Sequence, residues 1–201
     1  MTTTLRLFAR SRGGTVRLGV LALLAALPIL LAPVSYLGVP VRDAAASIFL
    51  NAALLGGTVI VFPLGAPWVE LDESLPDRPL RDLRLTWFVT VTLTVVLVGA
   101  VAVAVRQDAG LLLPFYARNV LLGVGIGALS VCLLPRTIAW LPVTAYAMVC
   151  WVWGTQDQLG TARAWALPNY ELSSPVPLVV AVCLWAATAV MYSYRDGRQV
   201  P

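Results

Sequence analysis

Six apolar runs follow one another along the chain, at 18–39, 44–66, 85–105, 116–134, 138–155 and 175–194, separated by short segments that hold most of the charges and many of the prolines. A helix needs about 20 apolar residues, at about 1.5 Å each, to cross a hydrocarbon core of about 30 Å. Each run is long enough, or nearly so, to do this. The pattern predicts an all-α membrane protein of six transmembrane helices.

Composition sharpens this picture. Hydrophobic residues make up 59% of the 201 residues and charged residues 12%, with a mean hydropathy of +0.83. Such values lie outside the soluble globular range, and six spans leave little chain for a soluble domain. Residues 1–201 therefore read as a single transmembrane domain with a short basic N-terminus (1–17), a long loop at 67–84 and another at 156–174. The first run exceeds the 7 to 15 residues of a secretory h-region and lacks a clear A-x-A site, so it reads as the first span.

Every basic residue is arginine. With the N-terminus inside, Arg6, Arg10, Arg12, Arg17, Arg78, Arg81, Arg84, Arg136, Arg195 and Arg198 fall on the cytoplasmic side, and Arg42, Arg106, Arg118 and Arg163 on the other. Ten against four predicts cytoplasmic termini, because short Arg-rich loops stay inside. The net charge of +4 follows from the same bias and from contact with anionic headgroups. It is no signal for nucleic acid.

The chain has neither lysine nor histidine. That excludes a Walker A loop, an HExxH zinc site and a Ser-His-Asp triad, so no catalytic site is expected. Cys132, Cys150 and Cys183 fall inside spans without a CxxC pair and read as packing residues, with no metal site. Gly123, Gly125 and Gly127 lie in an apolar run and read as small residues that let helices approach closely.

None of the ten acidic residues falls in the middle of a span, which gives a proton-coupled carrier little support. The polar residues assigned to spans are Asn51, Thr86, Thr90, Thr92, Thr94, Ser130, Thr144 and Thr188. Thr86, Thr90 and Thr94 share one helix face. With Asn51 they form a candidate polar path; alternatively, each hydroxyl bonds the carbonyl one turn back.

The loop at 67–84 opens with Glu70, Asp72 and Glu73 and closes with Arg78, Arg81 and Arg84. Asp77 can cap a helix that starts near Pro79, after which Leu80, Leu83 and Trp87 share a face. This predicts a short amphipathic helix at the cytoplasmic surface before the third span. The outer loop holds Trp165, Leu167, Pro168 and Tyr170, a composition suited to the membrane interface. There, either a short helix dipping into the membrane edge or an ordinary interfacial loop fits. Pro135 and Arg136 leave a very tight joint between the fourth and fifth spans.

Six spans with both ends inside, a charged helical loop between the second and third, and a longer outer loop between the fifth and sixth resemble the permease subunits of type-2 ABC exporters. More narrowly, Glu73 to Trp87, Ala117 to Pro142 and the last span before Arg195 are similar to small permease-like membrane proteins of high-GC actinobacteria. The resemblance implies a multi-pass plasma-membrane subunit that works as a dimer with a second permease copy or a related membrane subunit. It implies a separate cytoplasmic ATPase that holds ATP and Mg, with no cofactor on this chain, and export of an amphipathic or peptide-like compound. Glu70, Asp72, Glu73, Arg78, Arg81 and Arg84 would form the ATPase-coupling loop, with the arginines pairing carboxylates on that partner. The alternative is a non-transporting scaffold or immunity subunit of a larger membrane complex.

Overall fold

In the computed structural model the described residues are 53–59, 61, 64, 77–104, 109–135, 137–154, 162–170 and 174–194. Their regular elements are helices: α1 (Asp77–Ala104), α2 (Ala109–Leu133), α3 (Leu141–Trp153), a 3-10 turn at Leu167–Asn169 and α4 (Val176–Tyr194). Residues 53–59, 61 and 64, within the second apolar run, are also helical. The first run lies outside the described residues.

Among the described residues, three helices are long and apolar enough to cross a membrane, through Leu80–Val101, Leu113–Leu133 and Val176–Tyr194. They match the third, fourth and sixth sequence runs. The fifth run differs. Its helix α3 has 13 residues, about 20 Å, which is short of a full crossing by itself. The cause is local: Pro142 occupies the first turn of α3, where its missing N–H costs no hydrogen bond. The chain before it is wound by three-residue turns, with Ile138 N–H on Pro135 O and Leu141 N–H on Ile138 O, both at 3.0 Å.

A second difference concerns the loop before the third run. The sequence suggests a separate surface helix there, whereas α1 runs unbroken for 28 residues from Asp77. No glycine or internal proline interrupts 80–98, and Leu80, Leu83 and Trp87 continue the inward face of the span. Leu80 and Trp87 are buried and Leu83 packs on the same core.

Helix α2 is the centre of the bundle: 61% of its apolar stretch is buried, against 39% in α1 and 33% in α4. It contacts α1, α3 and α4, and α1 also contacts α4. The core runs through Phe88, Val91 and Val95 of α1, Tyr116, Val120 and Val124 of α2, and Ala189 and Tyr192 of α4. The Phe88 ring tilts against Trp185 at 5.6 Å and Tyr192 at 5.9 Å between centroids, a favoured aromatic geometry. Buried hydroxyls find carbonyls: Tyr116 donates to Val95 O at 3.2 Å and Tyr192 to Leu64 O at 3.0 Å.

Close approach depends on glycine, as expected for Gly123, Gly125 and Gly127. A Cβ on Gly123 would strike the Leu54 carbonyl and one on Gly127 the Gly57 carbonyl, while one on Gly125 would meet Leu184 at 2.9 Å. Residues four apart share a helix face and residues two apart do not. Gly123 and Gly127 therefore admit the 53–64 segment on one side, and Gly125 admits α4 on the other.

Candidate functional site

Among the described residues, a polar interior site lies where the segment 162–170 meets α2 and α3. Residues 162–170 turn back along the helices as a strap, and their 3-10 turn has only three residues, too short to satisfy its own carbonyls. Non-helical backbone at membrane depth is tolerated only where protein or water satisfies it. Here side chains do so.

Arg118 and Asn119 on α2 are 3% and 0% exposed. Arg118 donates from Nη2 to Pro168 O at 2.9 Å, from Nη1 to Tyr170 O at 3.0 Å and from Nε to Asn119 Oδ1 at 3.1 Å. Asn119 Nδ2 donates to the same Pro168 O at 3.2 Å, so both lone pairs of that carbonyl are used. From α3, Tyr146 donates its hydroxyl to Trp165 O at 2.8 Å. Asn169 of the strap donates back to Cys150 O at 3.0 Å.

Depth follows from helix rise. Arg118 is five residues inside the apolar stretch that starts at Leu113, about 8 Å along the axis. Tyr146 is eight residues before Gly154, the residue that ends α3, or about 12 Å. The strap thus runs alongside the last turns of α3. A guanidinium at this depth is tolerated because it is buried in protein and hydrogen-bonded.

This site was only partly visible in the sequence. Arg118 counts there as an outer-side topology residue, and Asn119 is missing from the polar residues of the spans. The available signal was an Arg-Asn pair three residues into the apolar run 116–134, since intramembrane ionisable residues mark a function by default.

The charged loop is distributed differently. Glu70, Asp72, Glu73 and Asn51 lie outside the described residues. Arg78 lies in the first turn of α1. Arg81 is exposed, with its guanidinium 3.9 Å from the centroid of the Tyr194 ring on α4, a cation–π contact. Arg84 is buried at 4% exposure.

Thr86, Thr90 and Thr94 do share one face of α1. Their hydroxyls donate to Asp82 O, Thr86 O and Thr90 O at 2.7, 2.7 and 2.8 Å. Each side chain therefore satisfies its donor on its own helix. Cys132, Cys150 and Cys183 form no disulfide with one another.

Comparison with protein-family models, curated proteins and solved structures gave no match for this chain.

Proposed function

We propose that the chain is the transmembrane permease subunit of an ABC-type exporter, moving an amphipathic or peptide-like compound with a separate cytoplasmic ATPase subunit. On this reading it has six spans, the fifth made of α3 together with the turns at 137–140 before it, has both termini cytoplasmic, sits in the plasma membrane and pairs with a second permease copy or a related subunit. ATP and Mg belong to the ATPase.

The observation that carries the reading is the continuity of α1. Its first turn belongs to the charged loop and its last residues to the far end of a span. A force applied at Arg78 or Arg81 would therefore be transmitted along one rigid element, whereas a hinge at 84 and 85 would absorb it. Arg81 is the exposed contact point, and Arg84 is buried. The test is ATPase stimulation in proteoliposomes that hold both subunits. Alanine at Arg78, Arg81 and Arg84 together abolishes stimulation; unchanged stimulation removes the coupling role.

A second reading is favoured by the Thr face, whose donors are all taken by α1 itself, and by the backbone-to-backbone seal at Gly57, Gly123 and Gly127. Both suit a scaffold that stabilises another membrane complex. That reading predicts no ATP-dependent movement of any compound in the same proteoliposomes.

A further inference from the structure

Helix α3 presents an exposed apolar face with aromatic rings at both ends. Leu141, Met148 and Val152 lie along that face, Trp140 stands at its start, and Trp151 and Trp153 stand at its end, all of them exposed. Trp140 donates its Nε1–H to Thr137 O at 2.7 Å, in the turns that precede α3, so its polar edge points away from the apolar band. A ring with an apolar body and one N–H belongs at a membrane–water interface. The three rings therefore mark where the apolar band of this face begins and ends.

That band is short. From Trp140, the residue before α3, to Trp153, its last, there are 13 helical steps, about 20 Å against a hydrocarbon core of about 30 Å. The apolar stretch of α1, Leu80–Val101, has 22 residues, about 33 Å. Helix α3 packs on α2, and α1 packs on α2 and α4. One bundle thus carries a full-length apolar face at α1 and a face about 13 Å shorter at α3. The strap shows at which end the length is lost. Arg118 holds the carbonyls of Pro168 and Tyr170 about 8 Å inside the apolar stretch of α2, and Trp165 of the same strap is exposed. Polar backbone therefore begins on this side at a level where α2 is still apolar.

Two occupants could cover the face, a second copy of the chain or lipid. A stable protein interface takes about 800 Å² from each partner. A strip about 20 Å long and about 10 Å wide, the width of one helix, offers about 200 Å². Lipid has no such threshold, and the rings at both ends suit its headgroup level. We propose that the α3 face is covered by phospholipid acyl chains of a locally thinned bilayer, with the thickness lost on the strap side. Thinning is how a bilayer meets a short apolar span. The inference holds whether or not the chain transports.

The test places single nitroxide labels at Leu141→Cys and Val152→Cys of α3 and, for comparison, Val101→Cys of α1, with the three native cysteines replaced by alanine, in dioleoyl phosphatidylcholine vesicles. Oxygen and a water-soluble nickel chelate then report the depth of each label. The two α3 positions are about 16 Å apart along the axis, so their depths below the two edges of the hydrocarbon core sum to about 4 Å in a core thinned to about 20 Å and to about 14 Å in one of about 30 Å. The proposal expects the smaller sum, with oxygen reaching both labels as freely as it reaches Val101→Cys. The larger sum overturns it, as does poor oxygen access with spin–spin broadening, the mark of a second copy, or ready access of nickel at both labels, the mark of a water-filled cleft. A second measurement needs no engineered cysteine. The unmodified full-length chain, extracted from equimolar dilauroyl and dioleoyl phosphatidylcholine and examined by native mass spectrometry, retains the shorter lipid about twofold or more in excess. Trp140→Leu with Trp153→Leu, both at exposed positions, brings the two lipids toward parity. Equal retention by the unmodified chain overturns the proposal.

Discussion

At the residue scale, the strap depends on two side chains of α2. Replacing Arg118 by Leu keeps much of the volume but leaves the carbonyls of Pro168 and Tyr170 short of donors. Buried acceptors left unmade cost about 1–3 kcal/mol each. Arg118→Leu should therefore lower stability by about 2–4 kcal/mol and raise backbone hydrogen exchange across 162–170, while exchange in α1 stays as in the wild type. Arg81→Ala makes a useful contrast. Its cation–π contact with Tyr194 is exposed and worth about 0.5–1 kcal/mol, so the melting temperature should barely move even where coupling to an ATPase is lost. Valine at Thr86, Thr90 and Thr94 together removes hydroxyls that bond only their own helix. Stability should stay within about 0.5 kcal/mol of wild type, and a loss of transport without a loss of stability would place that face on the substrate path.

At the element scale, glycine decides whether the helices can meet. Gly123→Ala pushes a methyl group into the Leu54 carbonyl, and overpacking of this kind costs about 1–3 kcal/mol; thermal unfolding in detergent measures it. The same stretch shows what a sequence can reveal. Runs of about 20 apolar residues located α1, α2 and α4 because bilayer thickness alone sets that length. The glycine role was legible because Gly-x-Gly-x-Gly has no strand-to-turn setting that would make it a phosphate loop. The length of α3 was not legible, since Pro142 sits in a run whose hydropathy is uniform and only the local turns around Pro135 and Ile138 show where winding tightens. Nor was the continuity of α1, where charge at Arg81, Asp82 and Arg84 suggests a surface helix but backbone propensity carries the helix through. The strap was least visible. Its anchors lie about 50 residues away in α2, and hydropathy along the chain carries no information about which carbonyls a buried arginine will find.

At the scale of the whole molecule, α2 is the hub through which the other elements meet. Its N-terminal half holds the strap through Arg118 and Asn119, and its other faces hold α1, α4 and the 53–64 segment. Helix α1 crosses beside it as one rod from the charged loop, clasped at its start to the end of α4 through Arg81 and Tyr194. A bundle built this way has few places to yield. Motion passed into α1 would reach α2 through Phe88, Val95 and Tyr116 and then the strap through Arg118. Disabling the strap with Arg118→Leu should therefore reduce transport with a co-reconstituted ATPase while leaving co-purification of that ATPase intact.

The central claim is that this chain is the membrane half of an ATP-driven exporter. The most direct measurement is mild-detergent purification of the tagged full-length chain from its native host, with mass spectrometry of the associated proteins and their amounts. The account predicts a soluble subunit with a Walker A motif in near-equal amount, lost when Arg78, Arg81 and Arg84 are replaced by alanine. Recovery of the chain alone, or with membrane proteins that have no ATPase among them, would contradict it.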